Sequence, residues 1–240
     1  MTPPGERART GLSPAGLPVG GVGTGSRMEC VFVDRAQAGE RLAERLAGIP
    51  GPVVLALPRG GVEVAEPIVR RLGGVLDVLV TRKIGYPPSP EFGVGAIAEG
   101  GEPVFDLPLL HRLGLTPEDL AGEVAAERRE LARRVAVYRG DRPLPRLAGR
   151  EVVVADDGLA TGVTARAALR AVAAAGPGRV TLAVPVGARD TVSAMREEAD
   201  EVVVLCVPAD FRAVGQWYEH FGQLSDADVL EVLARNPAPG

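Results

Sequence analysis

The chain has 240 residues, of which 46% are hydrophobic and 24% are charged, and its formal net charge is -4. This composition is typical of a globular protein, and the apolar runs are too short to cross a bilayer. The acidic balance provides no global positive field that would attract nucleic acid or anionic lipid. We therefore expect a cytoplasmic protein that makes no membrane contact and binds small anions.

The N-terminal stretch of residues 1–27 is rich in Gly, Pro, Ser and Thr. It has neither an apolar periodicity nor the apolar core of a signal peptide, which predicts a disordered tail. Residues 28–240 are predicted to form a single domain. Because Met28 directly precedes the first structured pattern, Met1 and Met28 both stay open as the natural start.

Strand and helix patterns alternate along the predicted domain. Apolar runs rich in β-branched residues predict strands at 52–57, 75–80, 151–155, 179–186 and 201–207. Helical periodicities and capping residues predict helices at 34–46, 62–72, 116–137, 162–174 and 191–197. The alternation predicts an α/β fold in which helices flank both faces of a parallel sheet.

The segment TRKIGYPPSPEFGVG, residues 81–95, interrupts this alternation. Its prolines and glycines predict irregular structure over most of its length. Long ordered loops are usually functional, and this one carries the basic pair Arg82 and Lys83. Glu99, which follows the segment, is predicted to be a surface glutamate.

Cysteine and histidine give no sign of a metal site. Cys30 and Cys206 each lie beside valines in strand-like runs, which favours buried reduced thiols over a disulfide or a metal pair. His111 and His220 have no second His or Cys at ligand spacing, so no zinc site is predicted. His111 is expected on a helix surface.

The span VVVADDGLATGVT, residues 152–164, places two acids after a buried strand and a Thr-Gly turn at the start of the next helix. Asp156 and Asp157 are suited to accept hydrogen bonds from a vicinal diol. Gly162 allows close approach of backbone N–H groups to a phosphate at the helix N-terminus. An ordinary α/β turn would need all these features to coincide by chance, so we predict a ligand site at this strand end.

A second anion-binding pattern lies upstream of the first. The strand at 52–57 runs into Pro58, Arg59, Gly60 and Gly61 before a helix begins. Two glycines open the helix N-terminus to an anion, and Arg59 adds positive charge. The span lacks both the Walker ending Gly-Lys-Ser/Thr and the dinucleotide spacing GxGxxG.

The span 152–164 resembles the motif by which type I phosphoribosyltransferases bind 5-phosphoribosyl 1-pyrophosphate (PRPP): four apolar residues, two acids, a short link and Thr-Gly-x-Thr. The resemblance implies that Asp156 and Asp157 hold the ribose hydroxyls. It also implies that the 5′-phosphate is wrapped by Ala160, Thr161, Gly162, Val163 and Thr164. Gly158 departs from the motif, which usually has an apolar residue there.

Other motifs resemble parts of the same family. Arg59, Gly60 and Gly61 resemble its pyrophosphate loop, whereas Arg82 and Lys83 resemble the basic pair that closes on pyrophosphate in adenine-type members. The resemblance implies that the three basic residues stabilise the leaving group. Glu99 falls roughly where adenine-type members carry a catalytic acid, but the alignment across this loop is poor and we assign it no role.

The C-terminal span FRAVGQWYEHF, residues 211–221, resembles a bacterial phosphoribosyltransferase-like branch. Its aromatic residues would form a hood over an acceptor base, within an element at about 208–236, or would pack a C-terminal subdomain. These residues are Phe211, Trp217, Tyr218 and Phe221.

The resemblance implies that the chain transfers the 5-phosphoribosyl group of PRPP to a nitrogenous base or related nitrogen nucleophile and releases pyrophosphate. Mg²⁺ would be held through PRPP with no direct protein ligand. The acceptor is not identifiable from the sequence, and a homodimer stays open. A PRPP-binding regulator without transferase activity is the main alternative, and a hydrolase ranks last because no Ser-His-Asp order or metal cluster supports it.

Overall fold

The structure is a computed structural model that describes residues 30–237. The predicted tail at 1–27 lies outside the described residues, as do both ends of the predicted domain, at 28–29 and 238–240. Within the described range, no helix combines the length and the apolar character needed to cross a membrane.

The described residues form eight strands and seven α-helices, which we number in chain order. The strands are β1 (Val53–Ala56), β2 (Val75–Val78), β3 (Thr81–Tyr86), β4 (Ser89–Ala98), β5 (Val104–Phe105), β6 (Glu151–Ala155), β7 (Arg179–Val186) and β8 (Glu201–Cys206). The helices are α1 (Arg35–Arg45), α2 (Gly61–Leu72), α3 (Leu107–Leu113), α4 (Ala121–Arg139), α5 (Val163–Ala174), α6 (Arg189–Met195) and α7 (Asp226–Arg235).

The main sheet has five parallel strands in the order β2-β1-β6-β7-β8. Residues of β1 and β7 are almost completely buried, as apolar strands covered on both faces require. The predicted α/β fold with a parallel sheet is therefore confirmed. Because β1 and β6 are parallel neighbours, the loops that follow them emerge side by side at one edge of the sheet.

Helices cover both faces of this sheet and enclose two hydrophobic layers. One layer includes Leu42 of α1 and Ile68 of α2, together with side chains of α4 and α7. The other includes Leu169 of α5 and Met195 of α6. Burial of such side chains is the main force that holds the helices on the sheet.

The segment at 81–95 is a β-hairpin, so the prediction of irregular structure was wrong. β3 pairs with β4 in antiparallel fashion, and β4 pairs with β5. Pro87 and Pro88 lie in the turn, where a missing N–H removes no ladder hydrogen bond. The register shifts on either side of Gly85, where a Cβ atom would overlap the backbone of Pro90. The prolines and glycines therefore shape the hairpin.

Cys30 and Cys206 form a disulfide, which corrects the prediction of reduced thiols. The bond joins the first described residue to the end of β8, across 176 positions of sequence. The N-terminal segment also pairs with the C-terminal region: the Phe32 N–H donates to Trp217 O at 2.9 Å, and the Glu219 N–H donates to Phe32 O at 2.8 Å. The local sequence around each cysteine carries no information about such a distant partner.

The bounds of two helices, α3 and α7, were not predicted from the sequence. α3 is a short helix capped by Asp106, and the exposed His111 lies on it as expected. α7 begins after Ser225, whose side chain forms a reciprocal capping box with Asp228. α7 lies within the C-terminal element predicted at about 208–236.

Candidate active site

Asp156 and Asp157 follow directly after β6, at the carboxyl edge of the sheet. The Asp157 N–H donates to Asp156 Oδ1 at 2.9 Å, so the two carboxyl groups are presented from a tight local turn. The pKa of Asp156 is raised well above its usual value, mainly by burial and to a smaller extent by the negative charge of Asp157. Burial also raises the pKa of Asp157, although the guanidinium of Arg35 opposes this shift.

The Thr-Gly turn forms the N-terminus of α5. Gly162 caps the helix with a φ of +74°, in the left-handed region that favours glycine. A Cβ atom on Gly162 would come within 2.5 Å of Thr191 Cγ2, and Thr191 Oγ1 donates to Ala160 O at 2.7 Å. Thr161 is exposed. The turn is therefore supported from behind and presents helix N–H groups without intrahelical partners to an incoming anion.

The loop after β1, residues 58–61, lies against the acid pair. A Cβ atom on Gly60 would overlap Asp157 Oδ2, and one on Gly61 would come within 2.6 Å of Ala155 O. Both glycines are therefore required by close packing. The Pro58–Arg59 peptide bond is cis. Arg59 Nη1 donates to Leu224 O at 2.6 Å, which directs this side chain toward the C-terminal segment.

Arg82 and Lys83 project to opposite sides of β3, because successive side chains of a strand alternate. Arg82 Nε donates to Glu127 Oε2 on α4 at 2.7 Å, which forms a half-buried ion pair. Lys83 is exposed, and its positive charge slightly opposes the rise in the pKa of Asp156 that burial causes. The structure thus pairs Arg82 with α4 and leaves Lys83 exposed on the other side of β3.

Glu99 belongs to a buried ion network, so the prediction of a surface glutamate was wrong. Its Oε1 atom pairs with Arg139, which also donates to Val78 O at 2.9 Å. Arg139 Nη1 lies 3.9 Å from the fully buried Asp77. Burial raises the pKa of Glu99 despite the neighbouring arginine. The network ties the end of β4 to β2 and α4.

The C-terminal aromatic residues pack tightly. Trp217 is 1% exposed and lies in a cluster with Phe32 and the two cysteines, and Phe211 packs half-buried against that cluster. The Tyr218 hydroxyl donates to Asp157 O at 2.6 Å, and its ring stacks on Phe221 with centroids 5.1 Å apart. The burial of the Trp217 ring agrees with the packing alternative for this side chain.

Arg35 is a site residue that the sequence motifs did not indicate. It is the first residue of α1, yet it is only 6% exposed. Its Nε donates to Asp157 Oδ2 at 2.8 Å and its Nη1 donates to Gly222 O at 2.9 Å. The only local sequence signal is Asp34, which caps the helix directly before Arg35. Because a charged residue in the first turn of a helix is ordinarily exposed, the burial of Arg35 is not expected from the sequence.

An acid pair and two glycine-containing loops thus meet at adjacent strand ends of a parallel sheet. A family model described as "Phosphoribosyl transferase domain" matches residues 35–220. The chain therefore belongs to the phosphoribosyl transferase domain family, which confirms the resemblance found in the sequence.

Two kinds of relative support this assignment. A Mycobacterium tuberculosis protein named "Putative phosphoribosyl transferase Rv0571c" is 46% identical over 210 residues, which cover 85% of this chain and 47% of that protein. The chain thus spans about half the length of the curated relatives it matches. The Thermus thermophilus protein TT1426, which has a crystal structure, is 47% identical in sequence to this chain. The match covers 86% of this chain and 99% of the TT1426 chain, and the two structures superpose with a TM-score of 0.73.

The acid pair also bears on magnesium. Carboxylate oxygens are hard donors of the kind that Mg²⁺ prefers, but this ion usually keeps many ligands from water and substrate phosphates. In the part of the chain that the structure describes, no group of three or more His, Cys, Asp or Glu side chains converges as a metal site.

Proposed function

We propose that the chain transfers the 5-phosphoribosyl group of PRPP to a nitrogen nucleophile and releases pyrophosphate. The observation that carries this proposal is the contact between Gly60 and Asp157. The loop that we assign to pyrophosphate is in contact with the acids that we assign to the ribose, and this contact supports the proposal. The N-terminus of α5, which is suited to the 5′-phosphate, begins only a few residues further along.

Each part of PRPP has a matching group at this edge of the sheet. The turn at 160–164 binds the 5′-phosphate through helix N–H groups and threonine hydroxyls. The acid pair accepts hydrogen bonds from the ribose hydroxyls, and residues 59–61 bind pyrophosphate. Lys83 adds an exposed positive charge whose field reaches Asp156. These contacts would hold the anomeric carbon in a fixed position for attack.

The reaction breaks the bond between the anomeric carbon and a pyrophosphate oxygen and forms a bond to the acceptor nitrogen. Its transition state has oxocarbenium character, so catalysis consists mainly of stabilising the departing negative charge. Magnesium bound to PRPP would neutralise part of the pyrophosphate charge. The chain itself contributes the cations of Arg59 and Lys83 and the fixed N–H dipoles of both loops.

Arg59 is linked to the C-terminal segment in the structure. Its Nη1 donates to Leu224 O at 2.6 Å, and we assign its other N–H donors to pyrophosphate. We propose that the element at about 208–236 covers the acceptor side of the site. The hydrogen bond between Arg59 and Leu224 O also suits the alternative function. In that function the protein is a regulator in which PRPP binding releases the C-terminal segment without any transfer.

The two functions are separated by product formation. The protein is incubated with PRPP, magnesium and a panel of purines, pyrimidines and simple amines, and pyrophosphate release is followed. Acceptor-dependent release by the parent, lost in Lys83→Ala, would support the transferase. PRPP binding by calorimetry with no release for any acceptor would favour the regulator, and failure to bind PRPP would contradict both.

A further inference from the structure

Arg35 is a buried cation with an unusually complete set of partners. Besides Asp157 and Gly222, its guanidinium lies 3.6 Å from Glu63 and 4.0 Å from the centre of the Phe221 ring. A buried charge is costly unless it is paired and hydrogen-bonded, and a cation over an aromatic face is attracted to it. The side chain therefore joins α1 to the acid pair, to α2 and to the C-terminal segment.

These contacts make the two acids unequal. Asp157 Oδ2 is occupied by Arg35 and lies against Gly60. Asp156 Oδ1 accepts the N–H of Asp157, but no described residue donates a hydrogen bond to Asp156 Oδ2. The charge of Lys83 acts on Asp156. Each acid therefore keeps one carboxylate oxygen that accepts no hydrogen bond from a described residue, but only Asp157 is held by a cation of the protein.

We propose that Arg35 is a positioning residue of the phosphoribosyl site: it holds Asp157 against the pyrophosphate loop and fastens the segment 219–224 beside it, which leaves Asp156 as the principal acid for the ribose hydroxyls. This proposal rests on the proposed function of the same site. It assigns to Asp157 an indirect role, through the shape of the loop at Gly60 and the position of Gly222.

The pairing between Arg35 and Asp157 has a pH signature. Two charged groups lie next to Asp157: Asp156 in the same loop and Arg35 on α1. Glu63 on α2 contacts Arg35 on its other side, and the Tyr218 hydroxyl donates to the backbone carbonyl of Asp157. Arg35 is the group that favours the ionised form of Asp157 against burial. Without Arg35, Asp157 should take up a proton at higher pH, leave Gly60 and weaken PRPP binding.

The test measures PRPP affinity by calorimetry across the acid to neutral range for the full-length parent, Arg35→Met and Arg35→Lys. Arg45→Met, a change on the exposed side of the same helix, is the matched control. We expect Arg35→Met to bind PRPP roughly tenfold more weakly near neutral pH, the loss expected for a hydrogen bond to a charged group. Its affinity should begin to fall at higher pH than that of the parent, and Arg35→Lys should recover part of both effects.

Inorganic phosphate separates positioning from a general loss of structure. Because phosphate contacts only the turn at 160–164, its affinity should be the same in the parent and in Arg35→Met. Equal PRPP affinity and an equal pH profile in the parent and Arg35→Met would overturn the role of Arg35. If Arg35→Met does not fold, Arg35→Lys decides, since full parental affinity in that variant would also overturn it. A parent that binds phosphate but not PRPP would instead contradict the proposed function.

Discussion

Gly60 and Asp157 are in direct contact, although they lie on different loops and 97 positions apart in the chain. Gly60 has a φ of -58°, a conformation that any residue adopts, so its glycine is not required by the backbone. It is required because a Cβ atom would overlap the carboxylate. The loop at residues 58–61 and the acid pair therefore form a single packed unit.

The first prediction is that Gly60→Ala weakens PRPP binding by about tenfold or more, the effect of losing one well-placed charged hydrogen bond. The added methyl group must displace Asp157 or the loop. Gly48→Ala is the matched control, because a Cβ atom there meets nothing within 4 Å. Calorimetric titration with PRPP measures the effect, and equal affinities of the two variants would show that the contact has no functional consequence.

The second prediction concerns Asp156→Asn, which should lower PRPP affinity and raise stability. The pKa of Asp156 is raised in the folded protein, so ionisation of this group opposes folding and the penalty grows as the pH rises above the ordinary carboxyl pKa. Removing the ionisable group should therefore raise the free energy of unfolding and the Tm at neutral pH. The gain should shrink as the pH falls toward the ordinary carboxyl pKa.

Thermal melts at several pH values, paired with calorimetry, check both halves of that prediction. PRPP affinity should fall about tenfold or more, whereas inorganic phosphate should bind as well as before or better, because a negative charge has been removed. Unchanged PRPP binding in Asp156→Asn would contradict the assignment of this acid to the ribose.

The third prediction compares Gly162→Ala with Gly176→Ala. Both glycines have left-handed φ angles, +74° and +67°, so alanine carries a similar backbone penalty at each. Only Gly162 lies in the phosphate turn, where a Cβ atom also meets Thr191. Both variants should lose stability, but only Gly162→Ala should lose affinity for ribose 5-phosphate. Parallel losses of affinity would indicate that the turn is not the phosphate site.

The fourth prediction separates Lys83 from Arg82. Lys83→Ala should slow pyrophosphate release with little change in Tm, because the side chain is exposed and acts on the charge near Asp156. Arg82→Ala should lower the free energy of unfolding by about 1 kcal/mol through loss of its ion pair with Glu127. Steady-state kinetics and urea denaturation distinguish the two variants, and a reversed pattern would exchange the two assignments.

The fifth prediction concerns the bond between Cys30 and Cys206. The unreduced protein should show no reactive thiol, and two should appear after reduction and unfolding. Replacing both cysteines by serine should lower the free energy of unfolding by about 2 to 4 kcal/mol, since the bond closes a long loop of the unfolded chain. Thiol titration and urea denaturation measure these effects. Two titratable thiols in the native protein would show that the bond is absent.

The sequence by itself determined the parallel α/β sheet and the place of the acid pair and the Thr-Gly turn between β6 and α5. Both depend on short-range rules: apolar runs form buried strands, capping residues start helices, and the acid pair and Thr-Gly turn occupy consecutive positions between β6 and α5. The motif at 152–164 therefore needed no knowledge of distant contacts.

Only the tertiary structure decided which residues support that loop. Arg35 meets Asp157 across 122 positions, and Cys30 meets Cys206 across 176. No local pattern encodes such pairs, because they depend on the path of the whole chain. The ion pair of the half-buried Glu99 was hidden in the same way, since its partner Arg139 lies on a different element. Periodicity and capping act over a few residues, whereas pairing of buried charges is settled only when the sheet brings its loops together.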